Sequence, residues 1–123
     1  MVGGLFDAFV WVVDPRDLEN ELAVKFESSA WNVDALICHD DSLASEVKRI
    51  VSRPSFRPRR MVKVAGFDGL GTEGEDSRGM VSVRQPFKLI VETALKLLLR
   101  RISDSSSPSM KVMFPGTVIG PRR

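Results

Sequence analysis

The stretch "VDALICHDDSLASEVKRI", residues 33–50, changes within a few positions from an apolar run to a helical pattern. The run 35–38 has no polar interruption, which is typical of a strand covered on both faces in a parallel sheet. Helical spacing follows over about residues 42–52 and predicts an amphipathic helix. The apolar stripe of that helix comprises Leu43, Val47, Ile50 and Val51. A strand followed directly by a helix is the repeating unit of α/β folds.

The same alternation continues on both sides of this stretch. Hydrophobic periodicity and turn residues predict further strands at 5–13, 61–67, 80–83 and 110–114. They predict further helices at 18–29 and 86–102. This order favours an α/β fold with a parallel sheet and right-handed crossovers. A chain of 123 residues, 43% of them hydrophobic, has room for one domain over 1–123 with a modest core.

Charge is distributed unevenly although the formal net charge is only +2. Residues 1–46 hold ten acidic and two basic residues, whereas residues 47–123 hold six acidic and sixteen basic ones. We interpret this asymmetry as two faces of one domain; a surface for nucleic acid or another partner is the alternative. The chain has no apolar segment of about 20 residues and no basic residue ahead of its first apolar run. We therefore expect a cytoplasmic protein that does not contact a membrane.

Four carboxylates follow directly on predicted strands: Asp14, Asp40, Asp41 and Asp68. Ligands of open α/β sheets bind beyond the carboxyl ends of the strands, so these side chains are candidates for a binding site. Carboxylates at such positions accept hydrogen bonds from sugar hydroxyls. They could instead hold Mg²⁺, with one Asp accepting a phosphoryl group. A third interpretation is that Asp40 or Asp41 caps the following helix, and we favour it for Asp41.

Two further features argue against catalysis. The single cysteine, Cys38, precedes the single histidine, His39, so the two side chains point to opposite faces of a strand and form no dyad. The glycine-rich segment 69–79 is not followed by a helix, so it lacks the context of a phosphate-binding turn. It is either a loop that approaches a ligand or a plain surface loop. We expect no enzyme activity, no metal and no cofactor.

Four motifs together resemble a known family. They are "VDALICHDDSLASEVKRI" (33–50), "VKVAGFDG" (62–69), "VSVRQPFKLIVETALKLLLRRI" (81–102) and "KVMFPGTVI" (111–119). In this order and spacing they resemble the C-terminal part of the effector-binding domain of LacI-type transcriptional regulators. The resemblance implies a three-layer parallel-sheet lobe of the periplasmic-binding-protein type I architecture, which is flavodoxin- or Rossmann-like. It also implies that the amino-terminal lobe is missing.

The resemblance further implies that the chain senses a small effector, a sugar or polyol, without catalysis. It places Asp40, Asp68 and Gln85 at the ligand, and Asp14 is added as a strand-end candidate. DNA would be bound only through a helix-turn-helix domain that this chain lacks. Because helix 87–102 would lose the surface of the other lobe, we expect it to repack, to form a homodimer or to exchange between chains. The alternatives are a dimerisation or interaction module without a ligand and a Mg²⁺-dependent phosphoacceptor domain.

Overall fold

The computed structural model describes residues 10–28, 32–56, 61–69 and 80–120. Pro15–Asp17 forms a 3₁₀ turn that leads directly into the first helix. The helices are α1 (Leu18–Glu27), α2 (Asp41–Val51) and α3 (Phe87–Ser103). The strands are β1 (Ala35–Ile37), β2 (Lys63–Ala65), β3 (Ser82–Arg84) and β4 (Thr117–Ile119). The predicted mixed α/β class is confirmed.

The strands form two small sheets that are joined by bridges. β1 and β2 pair in parallel, whereas β3 and β4 pair in antiparallel. Isolated parallel bridges, Ala65–Val81 and Asp68–Arg84, connect the region of β2 to that of β3. Because β1, β2 and β3 run in the same direction, their carboxyl ends lie at one edge of the assembly. We call this the carboxyl edge; it consists of the residues that directly follow β1, β2 and β3.

The buried core lies between α1, α2 and the β1–β2 sheet. The α2 stripe is confirmed, with Val47 and Ile50 buried, and Ala44, which the sequence stripe omitted, is buried beside them. Phe26 of α1 contacts Phe56 edge-on, with ring centroids 5.3 Å apart. The buried hydrophobic residues are Leu18, Leu22, Cys38, Ala44, Val47, Ile50 and Met80.

Two strand predictions need correction. The run 35–38 was expected to be covered on both faces, but Ile37 is 83% exposed, so only one face of β1 carries the core. Residues 110–114 are not a strand, and the last strand is β4, three residues further on and antiparallel to β3. Three apolar side chains of this segment, Met110, Val112 and Phe114, instead line a shallow groove of α3 beside Leu97, whereas Met113 is largely exposed. A short segment of mostly apolar residues can be covered by a helix surface as well as by a sheet.

The amino-terminal strand prediction is wrong where it can be judged. Residues 10–13 are not in a strand, although Trp11 and Val13 pack against the core. The rest of that prediction, residues 5–9, lies outside the described residues. Among the described helices none is long and apolar enough to cross a membrane.

Candidate functional site

A tight turn after β2 presents Asp68 at the carboxyl edge. The backbone N–H of Gly66 donates to the carbonyl of Val81 at 2.8 Å, and that of Asp68 donates to the carbonyl of Val83 at 2.9 Å. Asp68 has a φ of 103° and Gly69 a φ of 71°. Glycine adopts positive φ freely, but for an Asp it costs on the order of 1–3 kcal/mol. The surrounding hydrogen bonds must therefore hold Asp68 in this conformation.

Asp68 and Gln85 form the central contact of the edge. The side-chain Nε2 of Gln85 donates to Oδ1 of Asp68 at 2.6 Å. The backbone N–H of Gln85 also donates to the carbonyl of Asp68, at 3.4 Å. Both residues are partly buried, and within the described part of the chain the second carboxylate oxygen of Asp68 makes no hydrogen bond. The pair therefore offers two hydrogen-bond acceptors to a ligand: the second carboxylate oxygen of Asp68 and the amide oxygen of Gln85.

A buried hydrogen-bond chain anchors this turn to α2. Ser82 is fully buried, and its hydroxyl donates to Oδ1 of Asp41 at 2.5 Å. The same hydroxyl oxygen accepts from the backbone N–H of Gly69 at 3.2 Å. A buried carboxylate such as Asp41, which is 3% exposed, is tolerated only when donors replace its lost water. The chain Asp41–Ser82–Gly69 therefore positions the turn from which Asp68 projects.

Gly66 permits the close approach of α2 to this turn. A Cβ atom at Gly66 would lie 2.2 Å from Oδ1 of Asp41 and 3.0 Å from its Cα. It would also lie 3.2 Å from the Cβ of Ala44. No larger side chain fits there without displacing the Asp41 carboxylate or the start of α2. Gly66 does not have a positive φ, so the position requires glycine because a side chain would not fit, not because of the backbone conformation.

Asp40, not Asp41, caps α2. Oδ1 of Asp40 accepts from the backbone N–H of Leu43 at 2.7 Å, and Oδ2 lies 2.7 Å from Nε2 of His39. The prediction that favoured Asp41 as the cap is wrong, because its carboxylate is turned inward onto Ser82. Asp40 still lies at the carboxyl edge, with its side chain 32% exposed. Both of its oxygens already have partners, so a ligand would compete with the cap.

Asp14 is engaged in a local contact. It caps the 3₁₀ turn by accepting from the backbone N–H of Arg16 at 2.9 Å, and the Arg16 guanidinium binds its two oxygens. This guanidinium holds the pKa of Asp14 below its usual value, and Asp14 in turn raises the pKa of Arg16. Over the described ranges no hydrogen bond joins Asp14 to the Asp68–Gln85 pair. The strand that was expected to carry Asp14 to the edge is not formed at 10–13.

Cys38 belongs to the core and not to the candidate site. Its side chain is buried, and desolvation, with a smaller effect from the negative charge of Asp40, raises the pKa of its thiol to about 11. A thiol with such a pKa is a poor nucleophile at neutral pH. Its adjacent histidine, His39, is exposed and points to Asp40 instead. This arrangement agrees with the absence of a Cys–His dyad inferred from the sequence.

Most of the glycine-rich segment 69–79, namely residues 70–79, lies outside the described residues. Where the structure describes the chain, no group of three or more His, Cys, Asp or Glu side chains is arranged to hold a metal ion.

Sequence reasoning did not find Ser82 or Gly66, and it assigned Asp41 the wrong role. A weak signal was available: Ser82 interrupts the apolar run Met80–Val83, and a polar residue inside a short strand suggests a buried partner. The partner itself lies 41 residues away along the chain. No local pattern identifies it.

Comparison of the chain with protein-family models, curated proteins and solved structures finds no significant match.

Proposed function

We propose that this chain is the effector-sensing lobe of a LacI-type transcriptional regulator and binds a sugar or polyol without catalysis. The observation that carries the proposal is the Asp68–Gln85 hydrogen bond at 2.6 Å, at the shared carboxyl edge of three strands that run in one direction. That edge is where open α/β sheets bind small ligands.

The chemistry of the pair suits a ligand with several hydroxyl groups. A carboxylate accepts from sugar hydroxyls, and a primary amide both donates and accepts. Gln85 fixes the orientation of the Asp68 carboxylate through one oxygen, which leaves the other oxygen for a ligand. The positive φ of Asp68 supports the same conclusion, because strained backbone is concentrated at ligand-binding positions. Asp40 is the neighbouring candidate contact from the end of β1.

The position of Gln85 also suggests how binding would be sensed. The backbone N–H of Phe87, the first residue of α3, donates to the carbonyl of Gln85 at 2.9 Å. A ligand bound to Gln85 would therefore contact a residue that is hydrogen-bonded to the first residue of a 17-residue helix. A ligand that binds one arrangement of this junction more tightly shifts the population toward it. In the proposed regulator this shift changes the closure of two lobes and, through a separate helix-turn-helix domain, the affinity for DNA.

The finer architecture is part of the proposal. We infer a three-layer lobe of the periplasmic-binding-protein type I kind, in a cytoplasmic protein whose other lobe would cover surfaces that this chain exposes. The order of the four sequence motifs and the open face of β1 at Ile37 support this inference. A single lobe supplies only part of the ligand contacts, so we expect dissociation constants on the order of 1 mM for the isolated chain.

The test is ligand binding by NMR chemical-shift perturbation with a panel of pentoses, hexoses, polyols and nucleosides at roughly ten times that dissociation constant. We expect at least one panel member to shift the backbone amides of Asp68 and Gln85. Asp68→Ala and Gln85→Leu should abolish the shifts, whereas the matched surface control Glu21→Gln should retain them. Shifts that survive both edge substitutions, or no shifts from any panel member, would contradict the proposal.

The exposed face of α3 favours a second candidate function, an interaction module without a ligand. This second function would be supported if no panel member bound at the carboxyl edge and the chain formed a stable oligomer.

A further inference from the structure

One face of α3 is apolar and exposed along most of the helix. No residue of α3 is buried. We define the α3 stripe as Val91, Leu95, Leu98 and Ile102, whose exposed fractions are 61%, 55%, 56% and 71%. The groove residues Ile90, Ala94 and Leu97, on another side of the helix, face the segment 110–114 of the same chain. The chain's own covering segment therefore leaves most of the stripe open. Leu98 also borders a groove lined by Pro108 and Met110, but more than half of its side chain remains exposed.

The spacing of the stripe is that of a helix–helix seam. Its members are separated by four, three and four residues, the alternation found at the contact positions of paired helices. The set is also symmetric about a point midway along it, between positions 96 and 97. A second α3 in the reverse direction therefore places Leu95 opposite the partner's Leu98, and Val91 opposite the partner's Ile102. The stripe is therefore complementary to a second copy of itself, and no other partner sequence is required.

We propose that the α3 stripe pairs with the α3 stripe of a second copy of this chain, in antiparallel orientation about a two-fold axis. Such an interface is isologous, because each contact occurs twice with the roles of the copies exchanged. This proposal concerns a different surface from the carboxyl edge and does not depend on a ligand being bound there.

Charge decides between the two orientations. Lys88 lies three residues before Val91 on the same side of the helix and extends the stripe by one turn. In a parallel pair the two Lys88 side chains would face each other. In the antiparallel pair Lys88 faces the carboxyl end of the partner helix, where Asp104 follows the last turn. That end carries partial negative charge from free carbonyl groups, which attracts a lysine. Arg100 and Arg101 also lie in this last turn, but helical spacing puts them on other sides of the helix from the stripe, and Glu92, 3.9 Å from Lys88 in its own helix, adds a further negative group beside the contact.

The area available predicts a weak dimer. The stripe with its exposed neighbours Phe87 and Leu99 presents roughly 500 Å² of apolar surface per chain, as large as the largest patch on a typical monomer. Standard stable interfaces use about 800 Å² per partner. We therefore expect a dissociation constant on the order of micromolar to tens of micromolar.

The first experiment is sedimentation velocity over a concentration series of the full chain. We expect the wild-type chain to move from monomer to dimer across the micromolar range. Leu98→Glu, in the stripe, should shift the dissociation constant upward by at least about tenfold. The matched control is Leu89→Glu on the opposite side of the helix, where the leucine is 47% exposed; it should leave the equilibrium unchanged. A wild-type monomer at all concentrations, or equal effects of the two substitutions, would overturn the proposal.

The second experiment tests orientation by disulfide formation in a Cys38→Ala background. We prepare Val91→Cys and Ile102→Cys as separate proteins. Mixed together and oxidised, they should give a disulfide-linked heterodimer, while each alone should cross-link poorly. The bond forms only where the two Cβ atoms approach within about 4.5 Å. Efficient homodimer cross-linking of either protein alone would indicate a parallel pair. A dimer that forms no cross-link in any mixture would indicate a different surface; both results refute the proposed arrangement.

Discussion

The hydroxyl of Ser82 in β3 donates a hydrogen bond to Oδ1 of Asp41 in α2 at 2.5 Å, and both residues are buried. The bond joins α2 to β3, and the turn that carries Asp68 is hydrogen-bonded to the same strand. Through the N–H of Gly69, the same hydroxyl fixes that turn. The candidate ligand site is thus held by residues that a ligand would never touch.

We predict that Ser82→Ala destabilises the fold. The substitution removes the hydroxyl that donates to the buried carboxylate of Asp41 and accepts from the N–H of Gly69, and the loss of these two buried hydrogen bonds costs about 1–3 kcal/mol in the free energy of unfolding. Urea denaturation followed by circular dichroism measures the loss. The control Ser106→Ala removes an exposed hydroxyl that bonds to Asp104, and we expect a change below about 0.5 kcal/mol.

A double-mutant cycle distinguishes the proposed bond from a general packing effect. Asp41→Ala and Ser82→Ala each remove one partner, so their combined cost should be lower than the sum of the single costs by about 1 kcal/mol or more. Strict additivity would show that the two side chains do not depend on each other.

We predict that Gly66→Ala is more destabilising than its single added methyl group suggests. The new Cβ would lie 2.2 Å from Oδ1 of Asp41, so either this carboxylate gives up its bond to Ser82 or the start of α2 moves, at a cost of about 1–3 kcal/mol. At Gly120 the corresponding atom would meet only Cγ2 of Val81 at 3.7 Å, which is ordinary contact. Gly120→Ala is therefore the matched control. Equal urea midpoints for the two variants would show that α2 does not approach the turn this closely.

We predict that Asp68→Gly and Asp68→Ala differ in stability although both lack the carboxylate. Both lose the hydrogen bond from Gln85. Glycine accepts the φ of 103° without strain, whereas alanine retains the strain, so Asp68→Ala should be less stable by about 1 kcal/mol. Thermal and urea unfolding measure this difference. Identical stabilities would indicate that the turn relaxes to negative φ once the carboxylate is removed.

We predict that Cys38 weakens the fold at alkaline pH. Its folded-state pKa is raised from 9.0 to about 11, so below pH 9 the thiol is protonated in both states and has no pH-dependent effect. Between pH 9 and 11 the unfolded chain releases the proton first. The free energy of unfolding should then fall by up to about 1.4 kcal/mol per pH unit.

The comparison for this prediction is the Cys38→Ala variant, because all other titrating groups are shared. The stability of the wild-type chain relative to the variant should decline as pH rises from 9 to 11 and stay constant below 9. A constant difference over the whole range would show that the thiol is accessible to water in the folded state.

The secondary structure could largely be predicted because its signals are local. The apolar stripe Leu43–Val51 predicted the bounds of α2 to within one residue at each end, and the alternation with strands predicted the mixed α/β class. The run 110–114 failed for a physical reason: hydrophobicity requires that such a segment be covered but does not specify by what. In the fold α3 supplies that cover, and the strand that pairs with β3 is β4 instead.

The sequence by itself determined that Asp40 and Asp68 follow successive strands and therefore come to one edge, because the alternation of strands and helices is a local pattern that predicts strands running in the same direction. Gln85 was expected there only from the family resemblance. Only the tertiary structure decided that Asp40 caps α2, that Asp41 turns inward to Ser82, and that the α3 stripe remains open. The inward turn of Asp41 depends on a partner 41 residues away along the chain, and the open stripe depends on the lack of a partner within the described chain. Local sequence carries no information about either. The cap is a local contact between Asp40 and Leu43, but Asp40 rather than Asp41 makes it because Asp41 is held by its distant partner.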